Sequence, residues 1–288
     1  MVFSRRSALI GATACLLSGS ARAARRWSAA ERRLADIQTA AGGRLGVAAL
    51  DSATGEALGH RADERFAMCS TFKLLAAACV LSRVDAGKDS LDRRVRFSKS
   101  ELVTYSPVTQ LHADTDRMTL ADICEAAITQ SDNTAGNLLL ASFGGPAALT
   151  AFARSLGDEV TRLDRIETAL NEAAPGDPRD TTTPSAMPAN MRTLLLETRL
   201  SAGSRRQLIE WLIANKTGDK RLRAGIPASW RIGDKTGSGG HGATNDIAIM
   251  WPDGAAPILV AVYFAESKLD DDARNAVIAE VGRVIAHR

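Results

Sequence analysis

The chain has 288 residues, a 45% hydrophobic share, 5% aromatics and a formal net charge of +3, which is apolar material for one large domain or two interleaved ones. Residues 1–23 hold three of its 36 basic residues and none of its 33 acids, so the remainder balances at 33 of each. A chain of zero net charge carries no electrostatic footprint for nucleic acid or a membrane surface, and its four scattered histidines and four cysteines lack metal-ligand spacing.

Arg5 and Arg6, a short apolar run from Ala8 to Leu17, and Ala21-Arg22-Ala23 predict a signal peptide over residues 1–23. Ser4-Arg5-Arg6-Ser7-Ala8-Leu9 gives it a twin-arginine form. The run is too short to span a bilayer, and no later one approaches about 20 residues. The expectation is a chain over 24–288 that is periplasmic or secreted, without a membrane anchor. Trp27, Leu34 and Ile37 predict a helix from Trp27 to Ala40, capped by Ser28 and stopped by Gly42-Gly43. Leu45 to Leu50 and Glu56 to Arg61 read as the arms of a hairpin. Ser70 to Asp85 is a long apolar helix. Leu120 to Gln130, Thr134 to Phe143, Pro146 to Leu156, Pro184 to Glu197 and Ser204 to Ile213 are further helices. Arg162 to Asp180, with Pro175, Gly176 and Pro178, is an irregular loop long enough to suggest a functional one. Trp230 to Lys235, Asp246 to Trp251 and Ile258 to Phe264 read as strands, and Asp270 to His287 as a terminal helix. The sheet thus draws on both chain ends, and the helical middle (about residues 70–215) forms a second lobe. This is an α+β architecture with a cleft between lobes.

Four short patterns carry chemistry. Ser70-Thr71-Phe72-Lys73 puts an alcohol and an amine on one helix face; an amine whose pKa is lowered by burial can take the alcohol's proton. Alone, the pair reads equally as a helix cap and an exposed lysine. Ser131-Asp132-Asn133 offers a hydroxyl and an amide at a turn, and alone is a good N-cap. Glu167 and Asn171 could hold one water between a carboxylate and an amide, as a general base for hydrolysis requires; alone, they fit a charged surface loop. Lys235-Thr236-Gly237 places a lysine and a hydroxyl on opposite faces of a strand, with a glycine that lets a ligand approach the backbone; alone, it fits an edge strand protected by lysine.

Together, in this order and spacing, the S-x-x-K, S-D-N and K-T-G elements form a known signature, and the chain resembles a class A (serine) β-lactamase over essentially all of residues 24–288. The likeness includes Tyr105 to Thr109, Thr129 to Leu139, Arg165 to Asn171, Gly176 to Thr182 and Gly233 to Gly237. It implies the serine β-lactamase/penicillin-binding-protein transpeptidase-like fold, an antiparallel sheet flanked by helices plus an all-helical lobe. It further implies a monomer that hydrolyses small-molecule β-lactams without cofactor or metal. By the resemblance, Ser70 is the acylated nucleophile, Lys73 its amine partner, Ser131 the proton shuttle to the lactam nitrogen and Glu167 the deacylating base. Asn171 helps hold the water and Asn133 binds the substrate side-chain carbonyl. Lys235 and Thr236 bind the substrate carboxylate, Tyr105 lines the cleft, and the N–H groups of Ser70 and Ser238 form the oxyanion hole. Arg165 and Asp180 pair across the neck of the loop.

The chain departs from the commonest pattern in three places. Thr244 stands where many members carry arginine, and Arg221 takes over the carboxylate-binding guanidinium. Ala77 stands where Cys124 often finds a disulfide partner. Cys79 lies two residues on, a rotation of roughly 200°, so no bridge is expected. Gly239 stands where a cysteine could bridge Cys69, which is read as a small buried filler. Two alternatives share most of these motifs: a D-alanyl-D-alanine carboxypeptidase or transpeptidase, which lacks the deacylating glutamate, and a non-catalytic β-lactam sensor module, which needs a transmembrane segment.

Overall fold

A computed structural model describes residues 29–115 and 117–287; the signal peptide, Cys15 and the Ser28 cap lie outside them. The first helix (α1) runs over 29–41. Three strands follow, β1 Arg44–Asp51, β2 Ala57–His60 and β3 Phe66–Ala67. The helical middle comprises α2 Phe72–Asp85, α3 Leu120–Thr129, α4 Asn133–Phe143 and α5 Gly145–Ser155, then the two-residue strand β4 Thr181–Thr182, α6 Ala186–Leu195, α7 Ala202–Ile213 and the short α8 Leu222–Gly225. β5 Arg231–Ser238, β6 Thr244–Trp251, β7 Ile258–Ala265 and α9 Asp271–Ala286 end the chain.

The main sheet is antiparallel in the order β2-β1-β7-β6-β5, so the N-terminal hairpin and the C-terminal meander meet at β1 and β7. Its apolar runs are continuous because both faces are covered. In β7, Ile258, Val260, Val262 and Phe264 enter the core shared with α1 and α9, while Leu259, Ala261 and Tyr263 face the core of the helical lobe. That is the period-2 alternation of a strand buried on both sides. α2 is the axis of the helical lobe: every residue from Phe72 to Leu81 is buried, as expected of a helix apolar all round. No single described helix is long and apolar enough to cross a membrane.

The structure corrects three expectations. The helix predicted to open at Ser70 is preceded by a 3₁₀ turn, Cys69–Thr71, and no side chain caps either segment, so Ser70 is not a cap. β5 does not stop at Lys235 but continues to Ser238, because Thr236, Gly237 and Ser238 pair with Asp246, Asn245 and Thr244 of β6. Lys235 does not protect the sheet edge; it is fully buried. The long loop is irregular as expected, with one 3₁₀ turn at Ala169–Asn171, and the unforeseen β3–β4 pair closes it against the segment leading to Ser70.

Candidate active site

Ser70 sits where the segment between β3 and α2 turns into the helical lobe. Cys69 before it has a φ of 45°, a left-handed conformation unfavourable for a residue with a Cβ. Lys73 follows one helical turn later, and its Nζ donates to Ser70 Oγ at 2.8 Å. Gly136 on α4 makes room for this lysine: a Cβ there would lie 2.8 Å from Lys73 Cε. Lys73 Nζ also donates to the Ser131 carbonyl (2.8 Å) and to Asn133 Oδ1 (2.7 Å), and is 2.9 Å from Glu167 Oε1. Both side chains of that pair are fully buried. Burial pushes the Lys73 pKa down, against the opposing pull of Glu167.

Ser131 is at the turn between α3 and α4 with a φ of 57°. Asp132 fixes that turn: its Oδ1 accepts from the Ala135 amide (2.8 Å), capping α4, while its Oδ2 accepts from the amides of Val108 and Thr109 (3.0 and 2.9 Å). The reading of this triplet as a cap is therefore also right, with Asp132 as the capping residue. Asn133 Nδ2 donates to the Thr104 carbonyl (2.8 Å), and its main-chain N–H to that of Tyr105.

Glu167 enters from the long loop. Ser70 Oγ donates to its Oε1 at 3.1 Å and Asn171 Nδ2 to its Oε2 at 2.5 Å. Asn137 on α4 holds the Glu167 backbone at both ends, its Oδ1 accepting from the amide (2.8 Å) and its Nδ2 donating to the carbonyl (2.9 Å). Asn171 Oδ1 is buried and has no hydrogen-bond partner among the described residues. The loop's neck is tied as expected: Arg165 Nε donates to Asp180 Oδ2 at 2.6 Å, while Asp180 Oδ1 accepts from the amides of Asp164 and Arg165.

β5 supplies the opposite wall. Lys235 Nζ donates to Ser131 Oγ at 2.9 Å and to the Thr236 carbonyl at 2.8 Å. Burial, with Lys73 and Arg221 adding like charge, pushes its pKa well down. Thr236 Oγ1 lies 2.5 Å from Thr217 Oγ1. Arg221 threads behind the strand: Nη1 donates to the carbonyls of Gly237 (2.9 Å) and Asn245 (2.6 Å), Nη2 to Ser238 Oγ (2.7 Å) and Nε to Asn275 Oδ1 (2.8 Å).

Ser70, Tyr105, Ser131, Asn133, Asn171, Arg221, Thr236 and Ser238 line one cavity of about 320 Å³, together with Thr217 and Gly237. Lys73, Glu167 and Lys235 stand behind its surface, joined to it through Ser70 and Ser131. Every predicted site residue thus converges on one place. A larger cavity of about 420 Å³ is bordered by Arg44, Phe66, Pro175 and Arg179, and its lining includes no serine, cysteine or lysine. Sequence reasoning missed Thr217, Asn137 and Asn245. Asn137 lies one helical turn beyond Asn133 on α4, a spacing that could have flagged it; nothing local marks the other two. Among the described residues no group of His, Cys, Asp or Glu is disposed to hold a metal ion. Cys69, Cys79 and Cys124 are free and buried, in agreement with the expectation of no bridge.

Known proteins agree with this geometry. A profile of the "Beta-lactamase enzyme family" matches residues 29–288. The chain is 47% identical over 284 residues to "Beta-lactamase Toho-1" of Escherichia coli, covering 98% of this chain and 97% of that protein. It is 50% identical over 256 residues to "Beta-lactamase AST-1" of Nocardia asteroides, covering 89% and 82% respectively. The solved structure "Ancestral (GNCA) Beta-lactamase class A" is 67% identical, with a TM-score of 0.88 over 89% of this chain and 98% of its own. The buried Ser70–Lys73–Glu167 cluster, its convergent second wall and these likenesses together place the chain in the β-lactamase enzyme family, as a class A member.

Proposed function

We propose that the protein hydrolyses β-lactam antibiotics through an acyl-enzyme on Ser70, and that it confers resistance on the cell that exports it. The observation that carries this reading is the placement of Glu167 between Ser70 Oγ and the Asn171 amide. Ser70 Oγ attacks the lactam carbonyl carbon while Lys73 or Glu167, both in direct contact with it, takes its proton. Negative charge gathers on the carbonyl oxygen, which in this reading accepts from the N–H groups of Ser70 and Ser238. The ring C–N bond breaks as Ser131 Oγ passes a proton to the nitrogen, replenished from Lys73 or Lys235. Lys235, Thr236 and Arg221 hold the substrate carboxylate, Asn133 the side-chain carbonyl, and Tyr105 the rim. Glu167 then deprotonates a water that attacks the ester carbonyl. The partnerless Asn171 Oδ1 is the acceptor that orients this water, and the ester C–O bond breaks as the proton held by Glu167 passes to Ser70 Oγ.

The signal-like leader supports work in the periplasm or outside the cell, and charge balance over 24–288 argues against nucleic-acid and membrane partners. We take the protein as a monomer with the sheet from both chain ends and the helices of about 70–215 as its two lobes. Mixing the protein with excess benzylpenicillin tests the activity. Hydrolysis of many equivalents supports it. Loss of a single equivalent followed by arrest identifies a penicillin-binding protein or a β-lactam sensor instead, and no loss at all contradicts the reading of Ser70 as an acylated nucleophile.

A further inference from the structure

We infer that Asn245 is a positioning residue that sets the two N–H groups of the oxyanion hole at their working separation; the inference rests on the reading of Ser70 and Ser238 as that hole. These two groups belong to different parts of the fold, Ser70 to the 3₁₀ turn that opens the helical lobe and Ser238 to the end of β5. Something must fix one against the other, and Asn245 touches both sides. It is buried on β6 and pairs with Gly237, the residue before Ser238. Its Nδ2 crosses to the segment before the nucleophile, donating to the carbonyls of Ala67 (2.9 Å) and Met68 (3.1 Å). Its own carbonyl, with that of Gly237, takes Arg221 Nη1.

The need for such a clamp is local. Cys69, between Met68 and Ser70, is held at a φ of 45°, and a non-glycine residue persists in that region only where its surroundings over-determine it. Met68 is pinned on both sides: its N–H donates to the Asp180 carbonyl at 2.9 Å, and its carbonyl accepts from Asn245 and from Thr71 Oγ1. Thr71 lies on the same short turn, and its hydroxyl meets the sheet at Tyr263 of β7 (3.4 Å), not at β5, which carries Ser238, or at its neighbour β6. Asn245 alone of these carbonyl donors comes from the sheet. Contact is close enough that a Cβ at Gly237 would lie 2.8 Å from the Met68 carbonyl oxygen and 3.3 Å from Asn245 Nδ2. The turn and β5 meet here as backbone on backbone, with the Asn245 amide as the tie from β6.

The test uses the full enzyme carrying Glu167→Gln, so that the benzylpenicillin ester accumulates, with and without Asn245→Ala. Asn245→Ser, which keeps a short donor near the two carbonyls, serves as the second variant if the alanine protein does not fold. Infrared difference spectroscopy reads the ester C=O stretch, which falls in frequency when N–H groups donate to the oxygen. The parent should show a low band, and the Asn245 variants a higher or split one. Their acylation rate constant should fall about 10-fold, with the dissociation constant of the non-covalent complex changing by less than about twofold. An unchanged band and rate in a folded Asn245 variant overturns the inference, even if the melting temperature falls. A high band already present in the parent would instead overturn the reading of Ser70 and Ser238 as an oxyanion hole.

Discussion

Lys235 Nζ lies 2.9 Å from Ser131 Oγ, and through that one contact the sheet reaches the turn of the helical lobe that faces Ser70. Lys73 approaches the same serine from the other side, at its carbonyl. Two buried amines therefore hold one serine, Lys235 at its hydroxyl and Lys73 at its carbonyl, each with its ammonium form disfavoured by burial.

Ser131→Ala should remove the proton route to the leaving nitrogen. General acid catalysis is worth about 10²–10⁴-fold, so kcat for benzylpenicillin should fall within that range. Lys235 would also lose one of its two acceptors, and a buried polar group left short of a partner costs about 1–3 kcal/mol. Steady-state kinetics and thermal melts check the two effects separately.

Arg221→Ala should act mainly on KM. Its Nη2 borders the cavity beside Ser238, and hydrogen bonds to charged groups contribute about 1.5–3 kcal/mol, so kcat/KM for penicillins should fall about 10- to 100-fold. Inhibition by clavulanate should weaken in parallel. Arg221→Lys should not restore either, because one ammonium cannot serve Gly237, Asn245, Ser238 and Asn275 together. Unchanged kinetics would show that another group binds the carboxylate.

Asp180→Ala should loosen the loop that carries Glu167. Asp180 is fully buried and binds Arg165 together with two backbone amides. Breaking one partner out of a buried pair costs about 3–5 kcal/mol. Deacylation should slow more than acylation, because Lys73 on α2 and Ser70 on the turn that opens it lie outside the loop that carries Glu167. Equal slowing of both steps, measured by stopped flow, would count against that division.

Asp246→Asn tests a buried acid. Asp246 is buried on β6, its Oδ1 has no partner among the described residues, and its Oδ2 accepts from the Leu222 amide at 3.1 Å. Burial, with Asp234 adding like charge, pushes its pKa well above the carboxylate range, while Arg221 and Arg223 pull against it. An acid with a higher pKa in the folded chain holds its proton more tightly there. Its contribution is fully present below the unfolded value of about 3.9 and is lost as pH rises towards the folded one. The asparagine variant lacks this loss. Its stability relative to the parent should therefore rise with pH above about 4, by at most about 1.4 kcal/mol per pH unit, and then level off. Urea melts across pH report the difference, and a gap independent of pH would contradict the assignment.

The residues that perform chemistry were legible in the sequence because bond-making demands particular side chains at particular spacings, and Ser70, Lys73, Ser131, Glu167 and Lys235 met those demands together. The residues that hold them in place were not. Asn245 acts on Met68 across 177 positions, so nothing local distinguishes it from a surface amide; Asn137 acts on Glu167 across 30, and only its helical spacing from Asn133 hints at a role. Boundaries failed for a related reason. The strand expected to end at Lys235 runs on to Ser238, because pairing with β6 carries it past the apolar run. A two-residue strand such as β3 is too short to show a period at all.

The thiols give a simple check on the packing. Cys69, Cys79 and Cys124 are buried and unbridged. Burial pushes the first two up to about 12 and about 11 and raises the third as well, so native protein should resist alkylation. Denatured protein processed after residue 23, alkylated without reductant, should gain three adducts by intact mass; a gain of one would mean that a bridge exists.

The most direct test of the account is Glu167→Ala with benzylpenicillin, read by intact-mass spectrometry. Ser70 and Lys73 remain in contact in this variant while the group facing Asn171 is gone. The account predicts a stable adduct of one ring-opened penicillin per chain. An unmodified protein, or one still turning over rapidly, would contradict the role of Glu167 as the base that makes this protein a hydrolase.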